Sequence, residues 1–330
     1  MGQGELGLTV RWHAATRRIA GVDVANRRPQ ATGLLAGRPL AEAVALAPRL
    51  FTLCGGAQGV AARLAAAAAG GRAPAVEAAD RLAVAREAAG EHLWRLLLDW
   101  PTLSGRPSAK DDFLAWRRRL AAAATPAEHA ALGGELRAFA AGLAPPDFPE
   151  TAPAEPLRLL PWRRAADWAA DGVDAAFARA PTFAGGPAET GALARRADEA
   201  AVAALLAAGR RIAARVAARI ADIHALADGL AAPERLTGWL DAAPAGDGAG
   251  LARVETARGL LLHLIKVKDD RVVSYVIVAP TEWNFHPRGA FAGELIGGAA
   301  ATRDEAAMQA RRLALALDPC VGYEVAVEDA

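Results

Sequence analysis

Cys54 and Cys320 are the only two cysteines in a chain of 330 residues. Two sulfurs are too few for a disulfide framework, a four-thiolate zinc site or a four-cysteine iron-sulfur cluster. As a pair they would be soft donors suited to a transition metal, provided the fold brings them together. Singly, each has a plainer reading as small apolar filler. Their neighbours argue for element ends, because two glycines follow Cys54 and Asp318-Pro319 precedes Cys320. Each thiol is therefore expected at a turn or terminus, where side chains and backbone amides converge on a bound group. In a reducing compartment a structural disulfide between them is not expected, while a transient one stays open. Arg211, Arg215 and Arg219 repeat at i, i+4, so the stripe faces either an anion or solvent. His92 and His263 read as packed or hydrogen-bonded residues rather than metal ligands.

The elements that must hold these residues follow from pattern. Leu6, Leu8 and Val10 alternate, and Ile19, Val22 and Val24 precede a turn signal at Asn26 to Pro29, which predicts a hairpin over residues 1–30. A helical core is expected over 39–230, with alanine-rich helices at roughly 57–70, 75–99, 111–123 and 126–142 started or stopped by Pro74, Pro101 and Pro126. A Pro-rich passage at 142–161 reads as a surface crossover rather than a domain linker. The longest candidate helix spans about Glu189 to Leu230 with a break near Gly209. Residues 251–330 are expected to form a hairpin around Asp269-Asp270, a helix over about Thr302 to Leu317 and a cysteine-bearing tail. The expected fold class is α+β, predominantly α, in one domain spanning 1–330 with small β-hairpins near the N-terminus and at about 260–280.

The 53% apolar content is inflated by alanine, aromatic residues make up only 5%, and no run approaches the ~20 apolar residues a bilayer requires. No membrane insertion is expected. Basic and acidic residues nearly cancel at 38 against 37, which removes any electrostatic case for nucleic acid. Met1 to Val10 carries no basic region followed by an apolar run, so cytoplasmic residence is the expectation.

Longer stretches resemble a known family. Gly37-Arg38-Pro39 and Pro48-Arg49-Leu50-Phe51-Thr52-Leu53-Cys54-Gly55 are similar to the N-terminal cysteine motif of nickel-iron hydrogenase large subunits, R-x-C-G-x-C-x-x-x-H. Asp318-Pro319-Cys320-Val321-Gly322-Tyr323 is similar to their C-terminal D-P-C-x-x-C. Between them, in the family's order, Glu189 to Arg195 resembles E-x-G-P-L-A-R and Glu255-Thr256-Ala257-Arg258-Gly259 resembles E-A-P-R-G. Leu262 to Lys268 and Pro280-Thr281-Glu282-Trp283-Asn284 with Pro287-Arg288 look like G-H-W-I-x-I-K and P-T-x-W-N-x-x-P-R-D. The resemblance spans most of the chain and implies a large-subunit-like helical core.

The departures carry the functional reading. In the enzymes the first cysteine of each motif is a terminal nickel ligand and the second bridges nickel and iron. Here Cys54 and Cys320 keep the first positions, whereas Ala57 and Tyr323 occupy the bridging ones. Alanine cannot ligate a metal, and a phenol with pKa ~10 is a poor bridging ligand. Ala61 replaces the first motif's histidine, Ala326 stands where the processing site carries histidine, and only four residues follow, so no cleavable extension of ordinary length is expected.

The chain most resembles the HupK/HoxV-type branch, the hydrogenase expression/formation proteins, which implies a non-catalytic scaffold in hydrogenase maturation. Its cargo would be iron as the Fe(CN)2CO fragment, with nickel not expected. The partners would be maturation proteins and the large-subunit precursor. By the same resemblance Cys54 and Cys320 would be the metal ligands, Arg258 would supply hydrogen bonds and charge to cyanide nitrogen, and Asp318 would orient that guanidinium. The plainer alternatives are inert cysteines, a surface ion pair for Arg258 and a helix-terminus carboxylate for Asp318. A metal-free chaperone or protective partner is the competing reading, and an active hydrogenase the more distant one.

Overall fold

The computed structural model describes residues 6–27, 31–150 and 152–330. At the start, β1 (Leu6–His13) and β2 (Arg18–Asn26) form the expected hairpin, with a bulge between Arg11 and Trp12. Leu6, Leu8 and Val10 point inward from alternate positions, as the pleat requires. The predicted turn signal continues into residues 28–30, which lie outside the described residues.

The helical stretch follows with α1 (Leu40–Leu50), a 3-10 turn at Thr52–Cys54, α2 (Gly55–Ala68) and α3 (Ala78–Trp94). Where the pattern suggested one helix to residue 99, α3 passes into a π segment at Arg95–Asp99 and then α4 (Trp100–Leu103). Such widened turns are frequent at functional sites. Next come α5 (Lys110–Ala122) and α6 (Pro126–Ala140), the latter started by a capping box in which Thr125 Oγ1 accepts from Glu128 N–H.

The crossover leads through the short helices α7 (Ala165–Asp171) and α8 (Ala175–Arg179) to α9 (Ala192–Arg196), α10 (Ala200–Ala207) and α11 (Arg211–Ala231). The expected long helix is thus three, and the break at Gly209 falls at a left-handed φ of 72°. Helix α11 is the central rod, packed on α3, α6, α9 and α10. Its arginines are not on a solvated face. Arg215 and Arg219 are buried among carboxylates of the chain itself.

Beyond it, β3 (Leu240–Pro244), β4 (Ala249–Thr256), β5 (Gly259–Lys268) and β6 (Arg271–Val278) make an antiparallel sheet in that order. The expected hairpin is β5–β6, and β3 and β4 extend it. Every residue of β4 is buried, so it shows none of the alternation that marks a one-faced strand. One side of this sheet carries α2, and the other packs on a cluster around Trp168 and Trp283.

The chain ends with α12 (Pro280–Asn284), α13 (Ala290–Leu295), α14 (Arg303–Leu317) and β7 (Tyr323–Asp329). Strand β7 lies parallel to β1, which gives the N-terminal sheet the order β2-β1-β7. Phe285, Phe291, Leu313 and Leu317 pack with Leu6, Leu8 and Val10 in one apolar cluster. No helix among the described residues is long and apolar enough to cross a membrane.

Candidate functional site

Cys54 and Cys320 reach one site from opposite ends of the sequence. The 3-10 turn after α1 delivers Cys54 to the N-cap of α2, where it is half-buried. Gln58, one turn along α2, donates to Cys54 Sγ at 3.4 Å. Behind it Gln58 Oε1 meets His263 Nε2 at 2.8 Å, and His263 Nδ1 meets Tyr275 Oη at 2.8 Å. An amide oxygen only accepts, so His263 must carry its proton on Nε2 and receive the Tyr275 hydroxyl at Nδ1. Burial holds His263 down at about 3, in the neutral form this relay requires.

Cys320 is placed by the end of α14. Asp318 caps that helix with φ 54°, and the chain turns through Pro319. Thr281, in α12, then clasps the cysteine: its Oγ1 accepts Cys320 N–H at 3.0 Å and lies 3.1 Å from Cys320 Sγ, to which it donates.

Arg258 occupies the two-residue turn between β4 and β5. Thr256 Oγ1 accepts from the backbone N–H of Arg258 and of Gly259, each at 3.2 Å. The segment 189–195 closes on this turn at van der Waals limit. Gly191 has φ 112° and a Cβ there would lie 2.9 Å from Arg258 O; at Gly259, φ 129°, it would lie 2.4 Å from Thr190 Cγ2. Asn284 then joins the two motifs, donating to Arg258 O at 3.1 Å and Leu317 O at 3.3 Å while accepting from Thr190 N–H at 2.9 Å.

Asp318, 1% exposed, is the electrostatic centre. It accepts from Arg95 Nε at 2.7 Å, Arg219 at 3.0 Å and Arg258 Nε at 3.2 Å. Burial alone would raise its pKa, but the guanidiniums of Arg258, Arg95 and Arg219 hold it well below the usual carboxylate range. Arg258 also donates to Glu91 at 2.7 Å. Burial opposes its charge, yet Asp318 and Glu91, followed by the two cysteines, keep it firmly cationic. Arg95 comes from the π segment and also binds Asp99.

Cys54 is pushed up to about 12, first by burial and next by the charge of Cys320, with Glu87 adding to the rise and Gln58 and Arg258 opposing it. Beside it Glu87 accepts Gly56 N–H at 2.6 Å and Ala57 N–H at 3.0 Å at the start of α2. Burial pushes Glu87 up to about 7 despite those bonds. Further back, His92 lies buried between Asp222, at 3.2 Å, and Arg219, at 3.4 Å, a hydrogen-bonded residue as the sequence suggested.

All four residues singled out by sequence, Cys54, Cys320, Arg258 and Asp318, fall in this one neighbourhood. Arg258 is buried, not a surface ion pair, and Asp318 is both a helix cap and the partner of Arg258. Sequence reading passed over Gln58, Glu87, Glu91, Arg95 and Arg219 as site residues. Only Arg219 carried a signal, the i, i+4 stripe; Thr281 lay unremarked inside a quoted motif. Among the described residues no group of three or more His, Cys, Asp or Glu is placed to hold a metal ion, so the pair of sulfurs is the whole soft donor set here.

Comparison with known proteins identifies the family and the fold. A family model described as nickel-dependent hydrogenase matches residues 201–325, which include Arg258, Asp318 and Cys320. Over the full length, the chain is 35% identical to a hydrogenase expression/formation protein HupK of Rhizobium leguminosarum bv. viciae, covering 100% of this chain and 98% of that one. It is 34% identical to the hydrogenase expression/formation protein HoxV of Cupriavidus necator, over 92% of each. Among solved structures, the nickel-iron-selenium hydrogenase of D. vulgaris Hildenborough in its reduced state superposes with a TM-score of 0.62 at 16% identity, covering 92% of this chain and 94% of that one. At that identity the likeness establishes a shared fold, predominantly helical with small sheets.

Proposed function

This chain belongs to the HupK/HoxV family of hydrogenase expression/formation proteins, and from that premise we propose that it is a non-catalytic scaffold holding the Fe(CN)2CO fragment during nickel-iron hydrogenase maturation. The observation that carries the proposal is the meeting of Cys54, Cys320 and Arg258 in one site, with each sulfur receiving a hydrogen bond.

Two thiolates suit a low-spin iron that already holds three small diatomic ligands. Burial and the neighbouring charge of Cys320 oppose ionisation of Cys54, and a bound cation would offset that penalty, so loading would release a proton from Cys54. Arg258 supplies a fixed positive charge and N–H donors for cyanide nitrogen. Asp318 holds its Nε edge, and Glu91 its far nitrogen. Ala57 and Tyr323, in place of two bridging sulfurs, leave no thiolate to retain nickel beside the iron. The partners are then the cytoplasmic proteins that build the fragment and the large-subunit precursor that receives it.

The test is infrared spectroscopy of the protein purified anaerobically from cells that express the maturation machinery. Cyanide and carbonyl stretching bands, lost in Cys54→Ala and in Cys320→Ala, are expected. Intact binding to maturation partners with no such bands would replace the carrier by a metal-free chaperone. Stoichiometric nickel with hydrogen turnover would overturn both.

A further inference from the structure

A second cavity opens between α9, α11 and β4, lined on its outer side by the segment 160–163. Its volume is about 440 Å³, within the range of small-ligand sites. The lining combines three tryptophans, Trp162, Trp168 and Trp239, with five arginines, Arg163, Arg195, Arg196, Arg235 and Arg253. Only two carboxylates, Asp228 and Glu255, face it; Asp171, Asp222 and Asp241, which also pair with these arginines, are not part of the lining.

Trp162 makes the case. It is 58% exposed, yet its ring is fixed, with Nε1 donating to Gly238 O at 2.8 Å and Arg253 standing 5.3 Å from its centroid. A fixed, exposed indole offers a flat apolar face beside the cavity, the kind of side chain enriched at binding interfaces. Trp239 is braced in the same way by Arg195 at 4.7 Å. Arg235 is 66% exposed and only loosely paired, 3.7 Å from Asp228, so its guanidinium is available to a ligand.

We infer that this cavity binds a planar anion of mononucleotide type, its ring stacked on Trp162 and its phosphate on the arginines led by Arg235. Asp228 is the acceptor for an amino or hydroxyl group on such a ligand, since both oxygens of Glu255 are already held by Arg195 and Arg253. Stacking on an exposed indole and charge-assisted bonds to guanidinium supply the two halves of the recognition. Cys54, Cys320, Arg258 and Asp318 do not line this cavity, although Thr190, which packs on the turn that carries Arg258, does.

Isothermal titration calorimetry with AMP tests it, with adenosine and inorganic phosphate as half-probes. AMP should bind saturably, and each half-probe at least tenfold more weakly. Trp162→Ala and Arg235→Ala should each weaken AMP binding tenfold or more with far-UV circular dichroism unchanged. The Cys54→Ala, Cys320→Ala double variant should bind AMP as the unmodified protein does, which separates this site from the iron reading. Absence of saturable AMP binding to the folded protein overturns the inference. So does affinity undiminished in Trp162→Ala, or binding of phosphate alone as tight as AMP, which would indicate an adventitious ion only.

Discussion

Replacing Glu87 by Gln should change how stability depends on pH, in a direction the structure dictates. The carboxyl of Glu87 accepts two backbone N–H groups at the start of α2, yet burial raises its pKa from 4.5 to about 7. The unfolded chain therefore ionises this group near pH 4.5 while the folded chain keeps it protonated until about pH 7. Its contribution is greatest below pH 4.5, declines as pH rises through that window, and levels off above it. At about 1.4 kcal/mol per pKa unit the upper bound is near 3 kcal/mol, and for a half-buried group reached by solvent about 2 kcal/mol is expected. The assay is urea denaturation followed by circular dichroism from pH 4.5 to 8, on both proteins. The stability of the unmodified protein minus that of Glu87→Gln should fall by about 2 kcal/mol across the window. Taking the difference removes the opposite slope of His92 and His263, whose folded pKa values of about 4 and about 3 make the fold gain stability as pH rises toward 6.5. A difference that stays flat, or rises with pH, refutes the account of Glu87 as a carboxyl protonated by burial.

Two further outcomes follow from the same site. Asp318→Asn leaves Arg95, Arg219 and Arg258 without their common buried counter-charge and should cost about 3–5 kcal/mol in urea denaturation; a loss below 1 kcal/mol would mean the three cations are solvated by other means. Gln58→Leu strips a donor from Cys54 and an acceptor from His263 Nε2, so a loss of about 1–3 kcal/mol is expected, together with a shift of the cyanide and carbonyl bands if the iron fragment is loaded.

The legible parts of this protein were those written in neighbouring residues. Thr125-Pro126 starts α6, Gly209 ends α10, and glycines after Cys54 with Pro319 before Cys320 put both sulfurs at element ends. The parts that escaped depend on what lies opposite in space. Arg215 and Arg219 share one spacing with Arg211, and that spacing suits solvent as well as it suits Glu189, Glu294 and Asp318, the partners the fold provides. Strand β4 was missed because it holds Arg253 and Glu255 inside the protein, bonded to each other at 2.7 Å, where pattern rules expect apolar residues. The third strand of the N-terminal sheet went unseen for a different reason. Tyr323–Asp329 is half-exposed along its length, and among the described residues it pairs with β1, more than three hundred residues away in sequence.

That pairing bears on how the protein comes into being. The contact between β7 and β1 closes a ring of more than three hundred residues, and the chain entropy lost in such a closure makes it slow to form. During synthesis Cys54 and its glycine-flanked helix start emerge well before the segment that carries Asp318, Cys320 and β7. Until that segment docks, the first thiol lacks its counterpart and Arg258 its main carboxylate. The site around Asp318 is therefore assembled only once residues 318–329 have docked against β1 and the turn that carries Arg258.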